Sequence, residues 1–169
     1  GRCLHNLERH LQHVKCITCA SDNLIVSGGW DSILYLWDIE KGKCIREFKG
    51  HTSWINDLHV TDDKKIVSCS LDKTIRVWDL ETGECKAVLE DHKKDINNLS
   101  LTADGKFCIS SSWDNTLRVW DLCNYSCCKT IEAHTDVITS IEAVPSHRYV
   151  ITASKDSNLI VWEFDWDWK

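Results

Sequence analysis

One repeat governs this sequence. Residues 27–38 read SGGWDSILYLWD, residues 68–79 SCSLDKTIRVWD, residues 110–121 SSSWDNTLRVWD and residues 152–163 TASKDSNLIVWE. Trp37, Trp78, Trp120 and Trp162 follow one another at 41, 42 and 42 residues. His10, His51, His92 and His134 lead the units at 41, 41 and 42. A period of this length means that each unit is one supersecondary piece unable to bury its apolar face alone. The units must therefore stack side by side.

Inside a unit the pattern is that of strands. In residues 74–78, TIRVW, β-branched and aromatic residues alternate with a polar one, which suits a pleated strand. Runs such as KKIVSCS and KFCISSS precede it, separated by turn residues such as Thr61-Asp62-Asp63 and Ala103-Asp104-Gly105. The one proline, Pro145, falls in such a turn. No segment has a helical period. The expectation is an all-β chain of four short strands per unit, with an outer strand at 1–9 and units at about 10–50, 51–91, 92–133 and 134–169.

These units resemble WD repeats, the four-stranded blades of β-propellers, which run to about 40–45 residues. The resemblance covers the whole chain and includes the family's buried hydrogen-bond tetrad. The four sets are His10, Ser27, Asp31 and Trp37; His51, Ser68, Asp72 and Trp78; His92, Ser110, Asp114 and Trp120; and His134, Thr152, Asp156 and Trp162. In such a tetrad an aspartate in a tight turn pairs with a histidine, the histidine with a hydroxyl, and the hydroxyl with an indole N–H. Fully paired, a buried network of this kind specifies one arrangement.

The resemblance also bears on closure. Residues 1–10, GRCLHNLERH, are similar to residues 42–51, GKCIREFKGH, the outermost strand of a blade and its following loop. In the family such a displaced first strand completes the last blade and fastens the ring. WD blades usually form rings of about seven or eight. An open arc that left on the order of 500 Å² of apolar surface wet at each end would forfeit about 12 kcal/mol per end, comparable to a domain's whole stability. Three arrangements meet this difficulty: two chains pairing by two-fold symmetry into an eight-bladed ring (a homodimer), each lending its first strand to the last blade of the other, a piece of a longer propeller, or a closed four-bladed ring. The sequence has no methionine, as expected of a processed, trimmed or engineered chain, and its repeats differ too much for a simple consensus design.

Several function classes are disfavoured. Twenty-six acidic residues against 20 basic give a net charge of −6, and the basic residues are scattered, so no nucleic-acid partner is expected. No apolar run approaches the ~20 residues needed to cross a bilayer and no basic-then-apolar leader opens the chain; no membrane association is expected. Cys3, Cys44, Cys85 and Cys127 recur once per unit, too far apart to pair. They read as small apolar fillers in a reducing compartment, cytoplasm or nucleus. The His–Ser–Asp trio suggests a catalytic triad, but it occurs four times, and a catalytic site is normally single. His10, His13, Cys16 and Cys19 are zinc-ligand types, yet their uniform spacing of three alternates faces along a strand. No phosphate-cradling loop is present. The chain is expected to be no enzyme, with no metal and no cofactor.

What remains is binding. In proteins of this family, ligands are usually taken on the narrow face around the central channel. The resemblance carries that role to Trp30, Leu71, Trp113 and Lys155, just before the tetrad aspartates. It carries it also to His13, Lys15, Trp54, Asn56, Asp95, Asn97, Val137 and Thr139, three and five residues after the histidines. Loop tryptophans have little structural excuse, and aromatic residues are enriched at interaction hot spots; the alternative for Trp30, Trp113 and Trp54 is that each only covers its neighbour. Lys15, Lys155 and Asp95 add charge of both signs. The expected function is a protein-interaction scaffold holding a peptide or protein partner, the alternative a purely structural assembly unit or part of a larger WD-repeat protein. The family's recruitment motif for ubiquitin ligases, an arginine shortly after Trp-Asp, is not matched by Ile39-Glu40, Leu80-Glu81 or Leu122-Cys123. In the tail, Trp162, Phe164, Trp166 and Trp168 alternate with Glu163, Asp165 and Asp167, giving one aromatic and one acidic face if extended. It is expected to dock on the chain's own side, seal a subunit contact or fray.

Overall fold

The computed structural model describes residues 1–144 and 148–165. Four antiparallel meanders form. The first runs through β1 (Val14–Ser21), β2 (Leu24–Gly29), β3 (Ile33–Asp38) and β4 (Lys43–Lys49). The second takes in β5 (Ile55–Val60), β6 (Lys65–Ser70), β7 (Ile75–Asp79) and β8 (Cys85–Leu89), and the third β9 (Ile96–Leu101), β10 (Phe107–Ser112), β11 (Thr116–Asp121) and β12 (Ser126–Glu132). The fourth has three strands, β13 (Ile138–Ala143), β14 (Tyr149–Ser154) and β15 (Leu159–Glu163). No helix occurs among the described residues. Each sheet is one repeat, as the sequence implies.

The core lies between sheets, not within one. Val26, Leu34 and Phe48 of the first sheet pack on Ile55, Leu58 and Trp78 of the second. Val67, Val77 and Leu89 of the second meet Ile96, Leu99 and Trp120 of the third. Ile109, Leu117 and Val119 of the third meet Ile138, Ile141 and Val150 of the fourth. The first strands β1, β5, β9 and β13 neighbour one another in succession and form the inner wall. β10, flanked on both sides, is buried at every residue.

The turn after each second strand explains the recurring aspartate. The residue following it is left-handed in all four blades: Ser32, Lys73, Asn115 and Ser157 have φ of 65°, 72°, 67° and 70°. That conformation costs a non-glycine residue roughly 1–2 kcal/mol. The aspartate offsets the cost by accepting the N–H two residues on, at 2.9 Å from Thr74, 3.0 Å from Thr116 and 2.9 Å from Asn158.

Two expectations need correction. The once-per-repeat cysteines are not buried fillers: Cys3 and Cys85 are exposed, and Cys44 and Cys127 are half-buried. Cys44, Cys85 and Cys127 sit at bulges of the outer strand, opposite Trp37, Trp78 and Trp120, where the blade edge meets solvent. The fully buried thiols are Cys69 and Cys108, on second strands. All ten cysteines are free. Secondly, residues 1–9 form no strand within the chain, and no ladder joins them to β15. The first segment lies instead along the first blade.

Of the tail, Phe164 turns inward and is buried against the third and fourth sheets, its N–H donating to the Arg148 carbonyl at 2.7 Å. The docked reading holds to that point; Trp166, Asp167 and Trp168, like Pro145, lie outside the described residues.

Candidate functional site

All four tetrads form. The indole N–H of Trp37, Trp78, Trp120 and Trp162 donates to Ser27, Ser68, Ser110 and Thr152 at 2.8, 2.9, 2.8 and 2.9 Å. The same hydroxyls lie 2.8, 2.9, 2.7 and 2.8 Å from Nε2 of His10, His51, His92 and His134. Each Nδ1 meets an aspartate: 2.9 Å to Asp31, 2.8 Å to Asp72, 2.9 Å to Asp114 and 2.9 Å to Asp156. A hydroxyl that accepts from the indole has its proton left to give, so it donates to Nε2 and the histidine keeps its proton on Nδ1 for the aspartate.

Titration shifts follow this wiring. Burial lowers the His92 pKa, outweighing the pull of Asp114. Burial alone would raise Asp72, yet the His51 hydrogen bond and charge, the Thr52 N–H and the Thr74 hydroxyl together hold it well below the usual carboxylate range. Asp114 behaves alike through His92, Thr116 and Lys93. Asp156 is held at about 2, the N–H groups of Asn158 and Thr135 and the His134 ring overcoming desolvation. The hydroxyls themselves are enclosed, Ser68, Ser110 and Thr152 completely. A nucleophile must reach its substrate; these cannot.

The candidate surface lies at one end of the inner wall. There a groove of about 610 Å³ is lined by Lys15, Asn56, Asn97, Trp113, Thr139 and Lys155, among others, with residues from all four sheets. Cys16, Ile17, Asp57, Asn98 and Val137 complete it. Trp113 is 44% exposed. Its N–H donates to Asn97 Oδ1 at 2.6 Å, and the Lys155 ammonium stands 5.9 Å from its ring centre. The other two loop tryptophans form a separate cluster. Trp30 stacks on Trp54, centroids 4.0 Å apart at 4°, and His13 meets the Trp30 edge at 4.4 Å. Trp54 is 39% exposed, while Trp30 is half-buried beneath it.

The WD40 family, described as "WD domain, G-beta repeat", matches at residues 1–38, 42–79, 83–121 and 125–163. The chain is a WD-repeat protein. A solved structure, "Crystal structure of the computationally designed Ika4 protein", is similar at 28% identity and a TM-score of 0.88, covering 98% of this chain and 99% of that one. No curated protein matches. WD-repeat proteins generally mediate protein interactions.

Within this WD-repeat fold the expected positions divide. Lys15, Asn56, Asn97, Trp113, Val137, Thr139 and Lys155 share the groove. His13, Trp30 and Trp54 gather beside it, and half-buried Leu71 and Asp95 are outside its lining. Among the expected groove residues, Asn56 and Asn97 bridge blades: Asn56 donates to the Ile96 carbonyl at 2.8 Å and Asn97 to the Ile138 carbonyl at 3.0 Å. Sequence reasoning missed these bridges between blades. It also missed Asp57, which accepts the Leu99 N–H at 2.9 Å, and Ser100, which accepts the Ala143 N–H at 2.9 Å. Each spans 40–43 residues in the chain. A polar residue on an inner strand of apolar neighbours was the available signal. Of the zinc-type residues His10, His13, Cys16 and Cys19, His10 is taken by its tetrad, and no metal-holding cluster occurs among the described residues.

Proposed function

We propose that this WD-repeat chain is a non-catalytic scaffold that holds a peptide or protein segment at the groove on its narrow face. Trp113 and Trp54 are the apolar anchors. Lys15 and Lys155 receive an acidic group of the partner, since the Asp57 carboxylate is engaged by the backbone of Leu58 and Leu99. Trp30 backs Trp54, stacked against it. The observation that carries this reading is a concave groove reached from all four blades and edged by a large exposed indole. The net charge of −6 fits a protein partner better than a nucleic acid. Ten free thiols fit a reducing compartment, cytoplasm or nucleus.

The test is a selection of peptides from a random display library against the wild-type chain. Selected peptides should bind Trp54→Ala/Trp113→Ala about thirtyfold more weakly or worse, the equivalent of one hot-spot anchor of about 2 kcal/mol. Both side chains are partly exposed, so the unfolding midpoint should change little. Peptides that bind the double variant as well as wild type would refute the site.

A second reading is favoured by the open ends of the blade row. We infer that the scaffold works as an assembly in which blades of another chain cover those ends, a homodimer being the smallest such form.

A further inference from the structure

The two ends of the blade row expose the apolar positions that are buried between blades elsewhere in the chain. On β1, Val14 and Ile17 are 56% and 64% exposed. Their equivalents on the other inner strands are Ile55, Ile96 and Ile138, all at 0%, and Leu58, Leu99 and Ile141, at 2%, 2% and 5%. On β15, Leu159 and Val161 are 68% and 57% exposed. Their equivalents Leu34, Ile75 and Leu117 are at 0%, and Leu36, Val77 and Val119 at 4%, 0% and 0%. Residue type is kept while burial is lost, so each end is an unmade blade-to-blade interface of the kind the chain makes three times internally.

The first segment adds a direction. In the first blade, Arg46 of the outer strand reaches the next blade's turn, donating to the Thr82 carbonyl at 2.9 Å and packing beside Gly83. His5 stands 41 residues earlier, and its Nε2 lies 3.1 Å from the Glu40 carbonyl, with the ring packed beside Gly42. Cys3 repeats the local contact of Cys44, its thiol 3.6 Å from the carbonyl two residues on. Residues 1–9 therefore sit against the first blade as an outer strand sits against the blade that follows it. They occupy the place that the outer strand of an adjoining blade would take. At the other end β13, β14 and β15 form a three-stranded sheet among the described residues.

We propose that two copies of the chain close by two-fold exchange, residues 1–9 of each adding to the free edge of β15 in the other. This rests on the assembly reading above and supplies its mechanism. The register follows from the first blade, where Leu34 faces Phe48, Leu36 faces Arg46 and Trp37 faces Cys44. Across the exchanged pair Leu159 faces Leu7, Val161 faces His5 and Trp162 faces Cys3. An isologous exchange leaves no free edge, since both ends of each chain are covered by the same contact. The groove is then half of a channel completed by the second copy.

The experiment is light-scattering mass of the 169-residue chain at several concentrations, wild type beside Leu159→Lys/Val161→Lys. Both positions are more than half exposed in the single chain, so the variant should fold, with circular dichroism as the check. A truncated chain, 10–169, which keeps every tetrad residue, is the second variant. Expected are twice 19.5 kDa for wild type and 19.5 kDa for both variants. A wild type of twice 19.5 kDa with both variants unchanged would overturn strand exchange while leaving pairing intact. A wild type of 19.5 kDa overturns both readings, and a polydisperse series overturns closure by two copies.

Discussion

Ser110 and Ser111 are adjacent on β10, both fully buried, yet only Ser110 should lose stability on replacement by alanine. The Ser110 hydroxyl accepts from Trp120 at 2.8 Å and donates to His92 at 2.7 Å. Ser110→Ala strands a buried indole N–H and a buried imidazole nitrogen. Each unsatisfied group costs about 1–3 kcal/mol, and with partial relaxation a total of about 3 kcal/mol is expected. For a chain of this size that is about 6–12 °C in Tm. The Ser111 hydroxyl is buried with no hydrogen-bond partner. Ser111→Ala removes a polar group that gained nothing in folding, so stability should stay the same or rise by up to about 1 kcal/mol. Urea unfolding followed by tryptophan fluorescence reads both, at one fixed protein concentration, because the proposed pairing would contribute by mass action. The Ser110 variant should lose about 1 M or more in midpoint with an m of about 1–3 kcal/mol/M. Equal losses in the two variants would refute the tetrad as the reason these residues matter.

Two further outcomes are expected. Because the His92 pKa is lowered in the folded state, the unfolded chain binds the extra proton first, so stability falls as pH drops below about 6.5 towards the folded value. The aspartates with lowered pKa, Asp72, Asp114 and Asp156, contribute stability present above their unfolded value near 3.8 and lost as pH falls through the folded one, for Asp156 about 2. A urea midpoint that stays level from pH 7 to pH 5 would contradict the His92 step. Gly29→Ala should destabilise by about 1–3 kcal/mol, because its Cβ would stand 2.3 Å from the His13 carbonyl oxygen, a backbone atom that also accepts the Trp30 N–H at 2.9 Å. An unchanged melting temperature for that variant would show that the β1–β2 bulge yields freely.

Much of the molecule is legible in the sequence because repetition supplies its own controls. A histidine, a hydroxyl, an aspartate and a tryptophan recurring together four times identify a network before any coordinate is known, and each bond of it is present. The bridges made by Asn56, Asn97, Asp57 and Ser100 stayed hidden because they join one repeat to the next and recur in two of the four repeats at most. Lys15 and Thr139 occupy the places of Asn56 and Asn97. The outer cysteines misled for a related reason: recurrence marks a shared environment without saying that it is an interior one. At the bulge opposite the tetrad tryptophan that environment is the blade edge.

The same contrast separates architecture from binding. Positions fixed in all four blades, such as the tetrad aspartate, hold the turn and leave no side chain to spare. The positions just before them vary widely, from Trp30 and Leu71 to Trp113 and Lys155, although their backbones do the same work. Each N–H donates to the carbonyl three residues after the histidine, at 2.9, 2.9, 2.9 and 3.0 Å. A constant backbone role with an inconstant side chain is what a binding surface requires: the scaffold fixes where each group stands, and the residue chosen there answers only to what it meets. Support for the aspartate also differs along the row. Thr74 and Thr116 reinforce it in the two middle blades through hydroxyls at 2.7 and 2.6 Å, whereas Ile33 and Asn158 hold those places in the end blades. Each end blade thus packs on a blade at one face only and has no hydroxyl two residues after its aspartate; on the pairing proposed above, a second copy would cover the other face.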